Sequence, residues 1–244
     1  MTAPPILTLQ RISKRFGAIV IADGIDLTLG QGEALGIIGP NGAGKTTLFG
    51  IVSGAGAPDA GRVLLDGQDI TALPPETRCR RGIARSFQIP QPFTGMTVFE
   101  NLVVAAAFGR GRRERDVYDD CALALQRCGL FDKANRLAGS LTLLERKRLE
   151  LARALAAKPR VLLLDEVAGG LTEHECASLV ALIKEIRADG ISVIWIEHIV
   201  HALSAVVDRI AVLAGGAIIA EGEPQAVIRD AKVREIYMGI PADA

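Results

Sequence analysis

The run Gly39-Pro40-Asn41-Gly42-Ala43-Gly44-Lys45-Thr46, followed by Thr47, sets glycines, a lysine and a hydroxyl at the spacing G-x-x-x-x-G-K-[ST]. That spacing suits a phosphate chain. Glycines there permit backbone angles and a close approach that a Cβ would hinder, so successive N–H groups and the start of the next helix can converge on one anion. Lys45 is expected to reach the β- and γ-phosphates of a nucleotide, and the Thr46 hydroxyl to ligate Mg2+. A glycine-rich turn could match by chance. Here the apolar run Ala34 to Ile38 precedes it and an apolar helical stretch, Thr46 to Val52, follows it, which is the strand-loop-helix setting that the chemistry needs.

Two carboxylates close a second run, Val161-Leu162-Leu163-Leu164-Asp165-Glu166. An unbroken apolar run fits a central parallel strand, and ligands of open α/β sheets sit at the carboxyl ends of such strands. Asp165 is expected to hold the metal, directly or through water. Glu166 falls one residue later, hence on the other face of an extended chain, where it can polarise an attacking water. Taken alone, the pair fits equally well a buried strand that ends in a solvated acidic turn.

The elements that must carry these groups alternate between strand and helix, which argues for a mainly parallel sheet covered by helices. Ile6 to Gln10 and Ile25 to Leu29 read as early strands, and Arg62 to Asp66 pairs with Gln68 to Ile70 around Asp66-Gly67, a hairpin signal. From about Pro90 to Pro159 strand signals fade, and helical patterns replace them at Val98 to Ala107, Tyr118 to Cys128 and Leu143 to Ala157. This stretch predicts a helical insertion. Strands return at Val161 to Leu164, Ser192 to Ile196 and Ile210 to Leu213, the last turning through Gly215-Gly216 into Ala217 to Ala220. The Arg- and Gly-rich stretch Gly109 to Arg115 reads as a solvated turn.

Composition narrows the class. The chain has 244 residues, 49% hydrophobic and 23% charged, with 28 basic against 28 acidic side chains. That balance argues against disorder and against a polycation that binds nucleic acid. No stretch approaches the roughly 18 uninterrupted apolar residues of a membrane-spanning helix, and Met1 to Arg11 lacks the form of an export signal. A soluble, cytoplasmic protein is expected. Cys79, Cys121, Cys128 and Cys176 have no metal-ligand spacing, so reduced thiols are expected.

In the order of these elements the sequence resembles the ABC ATPases over nearly its whole length. Gln88, in Arg85-Ser86-Phe87-Gln88, matches the Q-loop glutamine, which the resemblance makes a ligand of the metal's water and a sensor of the permease. His198 matches the switch histidine that contacts the γ-phosphate, and Phe16, in Lys14-Arg15-Phe16-Gly17, the aromatic that stacks on adenine. The resemblance implies an α/β P-loop NTPase fold: a mainly parallel core sheet, an antiparallel β subdomain and an inserted helical subdomain. It implies a single domain at residues 6–240, with the helical subdomain at 90–158. It further implies MgATP as the substrate, membrane permease subunits and a second ATPase subunit as partners, and a periplasmic solute-binding protein as an indirect one. The place of work would be the inner face of the cell membrane, held peripherally.

Two motifs depart from the family pattern. Its signature, close to Leu-Ser-Gly-Gly-Gln, is met here by Leu141-Thr142-Leu143-Leu144-Glu145, without glycine. Thr142 and Glu145 also have the S/T-x-x-E spacing of a helix capping box. After Glu166, Val167 stands where proline is usual, and Thr172 where the D-loop usually has aspartate. In the family the signature completes the nucleotide site of the other subunit, so its loss implies pairing with a different ATPase subunit; a homodimer stays possible. The segment Phe87 to Leu102 and the tail Val233 to Gly239 resemble the ATPases of branched-chain amino-acid importers and of related carriers for amides, urea and aromatic acids. Two other classes stay open: a soluble ABC ATPase acting on DNA or ribosomes, and a nucleotide-binding subunit that turns over little.

Overall fold

Side chains alternate along the first strands. In β2 (Ile19–Leu29) Ile25, Leu27 and Leu29 are buried while Asp26 and Thr28 between them are exposed, the period-two pattern of a sheet with one wet face. β2 pairs antiparallel with β1 (Leu7–Phe16), and β1 with β4 (Ala60–Leu65), which turns through Asp66 and Gly67 into the short β5 (Gln68–Asp69). Asp66 and Gly67 have φ of 50° and 74°, the left-handed pair that a tight hairpin requires. The resulting four-stranded sheet runs β2-β1-β4-β5. The computed structural model describes residues 4–238; Gly239 and Ile240, at the end of the expected domain and tail, lie outside the described residues.

The second sheet has six strands in the order β10-β9-β3-β8-β7-β6. β3 (Ala34–Ile38), β6 (Ile83–Arg85), β7 (Val161–Asp165), β8 (Ser192–Ile196) and β9 (Arg209–Ala214) run parallel, and β10 (Ala217–Gly222) closes one edge antiparallel to β9. Its central strands β3, β7 and β8 are buried along their whole length because both faces are covered. Leu35, Ile37, Val161, Leu163, Ile194 and Ile196 pack toward α1 (Lys45–Ser53) and the antiparallel sheet. Their neighbours Ala34, Ile38, Leu162, Leu164, Val193 and Trp195 pack into a second core with the remaining helices.

Between the adjacent strands β6 and β7 the chain leaves the sheet and forms α3 (Val98–Arg110), α4 (Tyr118–Arg127) and α5 (Leu143–Ala156). Thr97 and Thr142 begin α3 and α5 with complete capping boxes, through Glu100 and Glu145. Gly111, in the left-handed region at φ 63°, ends α3, and Arg110 pairs with Asp120 across the turn that follows. α6 (Glu173–Ala188) joins β7 to β8 and starts at a third capping box, Thr172 with Glu175. Three short helices complete the chain: α7 (Val200–Ser204), α8 (Pro224–Arg229) and α9 (Ala231–Met238).

One arginine fixes α1 from behind. Arg78, on α2 (Pro75–Arg80), is 1% exposed, and no carboxylate among the described residues bonds it. Its guanidinium donates instead to the carbonyls of Ile51, Val52, Thr71 and Leu73 at 2.6, 2.9, 2.7 and 2.9 Å. Ile51 and Val52 belong to the last turn of α1, where carbonyls lack helical partners and a cation is favoured.

The cysteines are unpaired thiols, Cys79 half-buried and the other three buried. Burial pushes Cys121 up to about 11 and Cys128 up to about 12, so both stay protonated. Among the described residues no helix is long and apolar enough to cross a membrane.

Candidate nucleotide site

β3 ends at Ile38, and the loop Gly39 to Gly44 turns directly into α1. Gly39 could not be replaced: at its φ of 159° a Cβ would lie 2.0 Å from the Leu213 carbonyl oxygen. Gly44 caps α1 at φ 96°, and a Cβ there would strike Ile21 at 2.6 Å. The loop wraps the side chain of its own lysine. Lys45 is 6% exposed, and its Nζ donates to the carbonyls of Gly39 at 2.8 Å and Pro40 at 3.1 Å. Burial pushes the Lys45 ammonium down, and the Glu166 and Asp165 carboxylates oppose that shift.

A cavity of about 320 Å³ opens over this loop. Asn41 to Thr47 line it together with Phe16, Ile21 and Glu166. Phe16 is 57% exposed at the tip of the β1–β2 hairpin, with the Lys14 ammonium 5.4 Å from its ring centre. An exposed ring beside a cavity of this size can take a flat heterocycle. Thr46, in the first turn of α1, is exposed and lines the same space.

The carboxylates come from the far end of β7. Asp165 closes the strand, 1% exposed. Arg85 of β6 donates Nη2 to its Oδ2 at 2.7 Å, whereas Oδ1 is buried with no hydrogen-bond partner among the described residues. An unmet buried carboxylate oxygen beside a threonine-bearing phosphate loop fits one hard divalent cation that takes its other ligands from phosphate and water. Glu166 does not continue the strand. Its φ is +47°, so it turns out of β7 instead of occupying the opposite face of an extended chain, and its N–H donates to the Ile196 carbonyl of β8 at 2.9 Å. The sequence expectation of an alternating pair is corrected here: Asp165 ends the strand and Glu166 opens the turn after it, so both carboxylates stand at the end of the sheet.

Around Glu166 the expected partners assemble. Gln88 Nε2 donates to Glu166 Oε2 at 2.5 Å, and His198 Nε2 lies 2.7 Å from Glu166 Oε1. Gln88 follows β6 and His198 follows β8, the two neighbours of β7 in the sheet order. Together these groups can grip a phosphate chain, hold a cation and orient a water.

Leu141 to Glu145 stand apart from this cavity. Thr142 caps α5 while Glu145 accepts from the Thr142 N–H at 2.9 Å and pairs with Lys133. Leu143 is 45% exposed, and Leu144 is half-buried.

Past Gln88 a groove of about 420 Å³ opens between α2, α3 and α5, with Phe87, Phe93 and Phe108 along it. Phe87 and Phe108 are 51% and 71% exposed. Asn101 fixes the loop that bears Phe93 by bonding both the N–H and the carbonyl of that residue, at 2.9 and 3.1 Å. Arg153 lies 5.3 Å from the Phe93 ring centre.

Sequence reading missed Arg85 and Ile21 at this site. Arg85 stands inside the quoted motif Arg85 to Gln88, but only the adjacency of β6 and β7 shows that it meets Asp165.

The comparisons with known proteins give the family. The profile of the ABC transporter family matches residues 22–169. The high-affinity branched-chain amino acid transport ATP-binding protein BraF of Pseudomonas aeruginosa is 36% identical, over 96% of this chain and 98% of its own. The lipopolysaccharide export system ATP-binding protein LptB of Haemophilus influenzae is 32% identical, over 96% and 97%. Among solved structures, the ADP conformation of MJ1267, an ATP-binding cassette of an ABC transporter, superposes with a TM-score of 0.90 at 32% identity, covering 98% of this chain and all of that one.

Proposed function

We infer the working role of this chain from one premise: it belongs to the ABC transporter family, as an ATPase subunit. It binds MgATP over the loop Gly39 to Thr47, hydrolyses it at Glu166 and couples that hydrolysis to solute uptake through membrane permease subunits. The observation that carries this reading is the meeting of Gln88, Glu166 and His198 beside the Lys45 loop at the ends of adjacent strands.

In this reading Lys45 leaves the Gly39 and Pro40 carbonyls for the β- and γ-phosphates, and Phe16 stacks on adenine. Thr46 and Asp165 would hold Mg2+, with Gln88 reaching it through water, and the ion would supply charge screening of the phosphates and polarisation of the γ-phosphoryl group. Glu166 orients the attacking water and draws off its proton. His198 fixes the Glu166 carboxylate and contacts the γ-phosphate. Leu141 to Glu145 face the nucleotide of a second ATPase subunit.

The solute assigned is a branched-chain amino acid or a related amide or organic acid. BraF and LivG, the latter from Escherichia coli, support this at 36% and 35% identity, against 32% for LptB. The apolar groove past Gln88 is assigned to a permease segment, which would hold the chain peripherally on the inner face of the membrane. The solute-binding protein acts at one remove, on the permease. Assembling the chain with its permeases in liposomes, and measuring ATP-driven uptake of labelled leucine, tests this reading. Turnover without leucine uptake would remove the solute assignment and leave the ATPase. A second reading, a subunit with little turnover of its own, is favoured by Leu143 and Leu144 at the start of α5.

A further inference from the structure

Glu197 precedes His198, is 1% exposed, and is spent on backbone. Its Oε2 accepts from the Ala168 N–H at 3.0 Å, and its Oε1 from the His198 N–H at 3.0 Å and the Ile199 N–H at 3.5 Å. Ala168 lies two residues past Glu166. One buried carboxylate therefore fastens the turn that presents Glu166 to the turn that presents His198.

A buried carboxylate needs a compensating charge. Lys147 of α5, 4% exposed, brings a charge of opposite sign into the same buried region and donates Nζ to the Glu166 carbonyl at 3.5 Å. Burial pushes the Lys147 ammonium down, and the Glu197 and Glu166 carboxylates oppose the shift. Three segments thus share one buried polar centre: α5, the turn after β7 and the turn after β8.

We propose that Glu197 and Lys147 are positioning residues for hydrolysis, which hold Glu166 and His198 in register and tie that register to the seat of α5. The inference rests on the assignment of Glu166 and His198 to hydrolysis. Neither Glu197 nor Lys147 touches nucleotide; each acts through the backbone it holds. Gln at 197 has the same length but only one acceptor oxygen for amides on two sides, so one turn must come loose.

The test uses the full chain assembled with its partner subunits and carrying Glu197→Gln, Lys147→Met, both, or Lys147→Arg. Its readouts are ATPase kinetics and NMR of 13C-labelled histidine, of which the chain has three. Each of the first two variants is expected to lower kcat by about 10- to 100-fold, the scale of a small misplacement, with the KM for ATP changed by less than about threefold. The His198 ring signal should move while that of His174 stays. The double variant should lose no more than the worse single one, because it leaves no unpaired charge, and Lys147→Arg should keep kcat. Normal kcat and an unmoved His198 signal in variants that merely melt earlier would overturn the proposal and leave both residues a purely structural role. If Glu166→Gln keeps turnover, the reading of the site fails; if Glu166→Gln is dead but Glu197→Gln is normal, only the present inference fails. Where Glu197→Gln does not fold, the double variant reads the same coupling without a buried unpaired charge.

Discussion

The Glu166 carboxylate meets the His198 ring at 2.7 Å, between Oε1 and Nε2, across 32 positions of chain. Its other oxygen is held by Gln88 at 2.5 Å. A carboxylate clasped from both sides has a fixed direction, which is what orienting a water requires.

Glu166→Gln keeps the shape and removes the charge, and Lys45 with its loop is untouched. ATP affinity by calorimetry should survive, while hydrolysis falls about 10²-fold or more, the scale of a lost general base. Wild-type turnover would mean that another group draws the proton.

Lys45→Ala removes the one ammonium buried under the loop. Charge-assisted bonds to phosphate contribute about 1.5–3 kcal/mol each, so affinity should fall tenfold or more and turnover should stop. Unchanged ATP affinity in a calorimeter would sink the assignment of the loop.

At the groove, Phe93 is 46% exposed and Ile89 71%. Apolar side chains gathered on a surface mark an interface, and a carboxylate among them is costly to bury against a partner. Phe93→Asp should release the protein from permease-bearing membranes and leave nucleotide binding intact. Retention in a flotation assay would assign Phe93 to internal packing alone.

Arg78→Met should cost about 3 kcal/mol or more, read as a lower denaturant midpoint at unchanged slope. The substitution keeps the buried stem but strands four carbonyls, and each hydrogen bond to a charged donor contributes about 1.5–3 kcal/mol. A midpoint within error of wild type would show that water replaces the guanidinium.

Leu144 stands where the family signature has glycine, one residue into α5. If its side chain displaces one charge-assisted bond to the partner's nucleotide, the loss is about 10- to 100-fold, suffered twice by a homodimer and once by a mixed pair. ATPase activity should therefore be weak for this chain alone, strong with a paralogous subunit, and raised alone by Leu144→Gly. Strong activity alone, indifferent to that change, would defeat the mixed pair.

What the sequence determined by itself was local. The phosphate loop was legible because its glycines, lysine and threonine act through their own backbone and the helix they begin. The buried strands were legible because runs such as Val161 to Leu164 are apolar on both faces. Capping boxes at Thr142 and Thr172 were legible because they close within four residues. Tertiary structure alone decided that Arg85 neutralises Asp165, 80 positions away, since that contact exists only because β6 lies beside β7. It alone turned Glu166 out of the strand at φ +47°, where periodicity predicted simple alternation. The convergence of Lys147 and Glu197 on the turn after β7 was likewise decided there: a helix, a strand end and a turn meet at one point, and sheet order, which no local pattern encodes, sets where that point is.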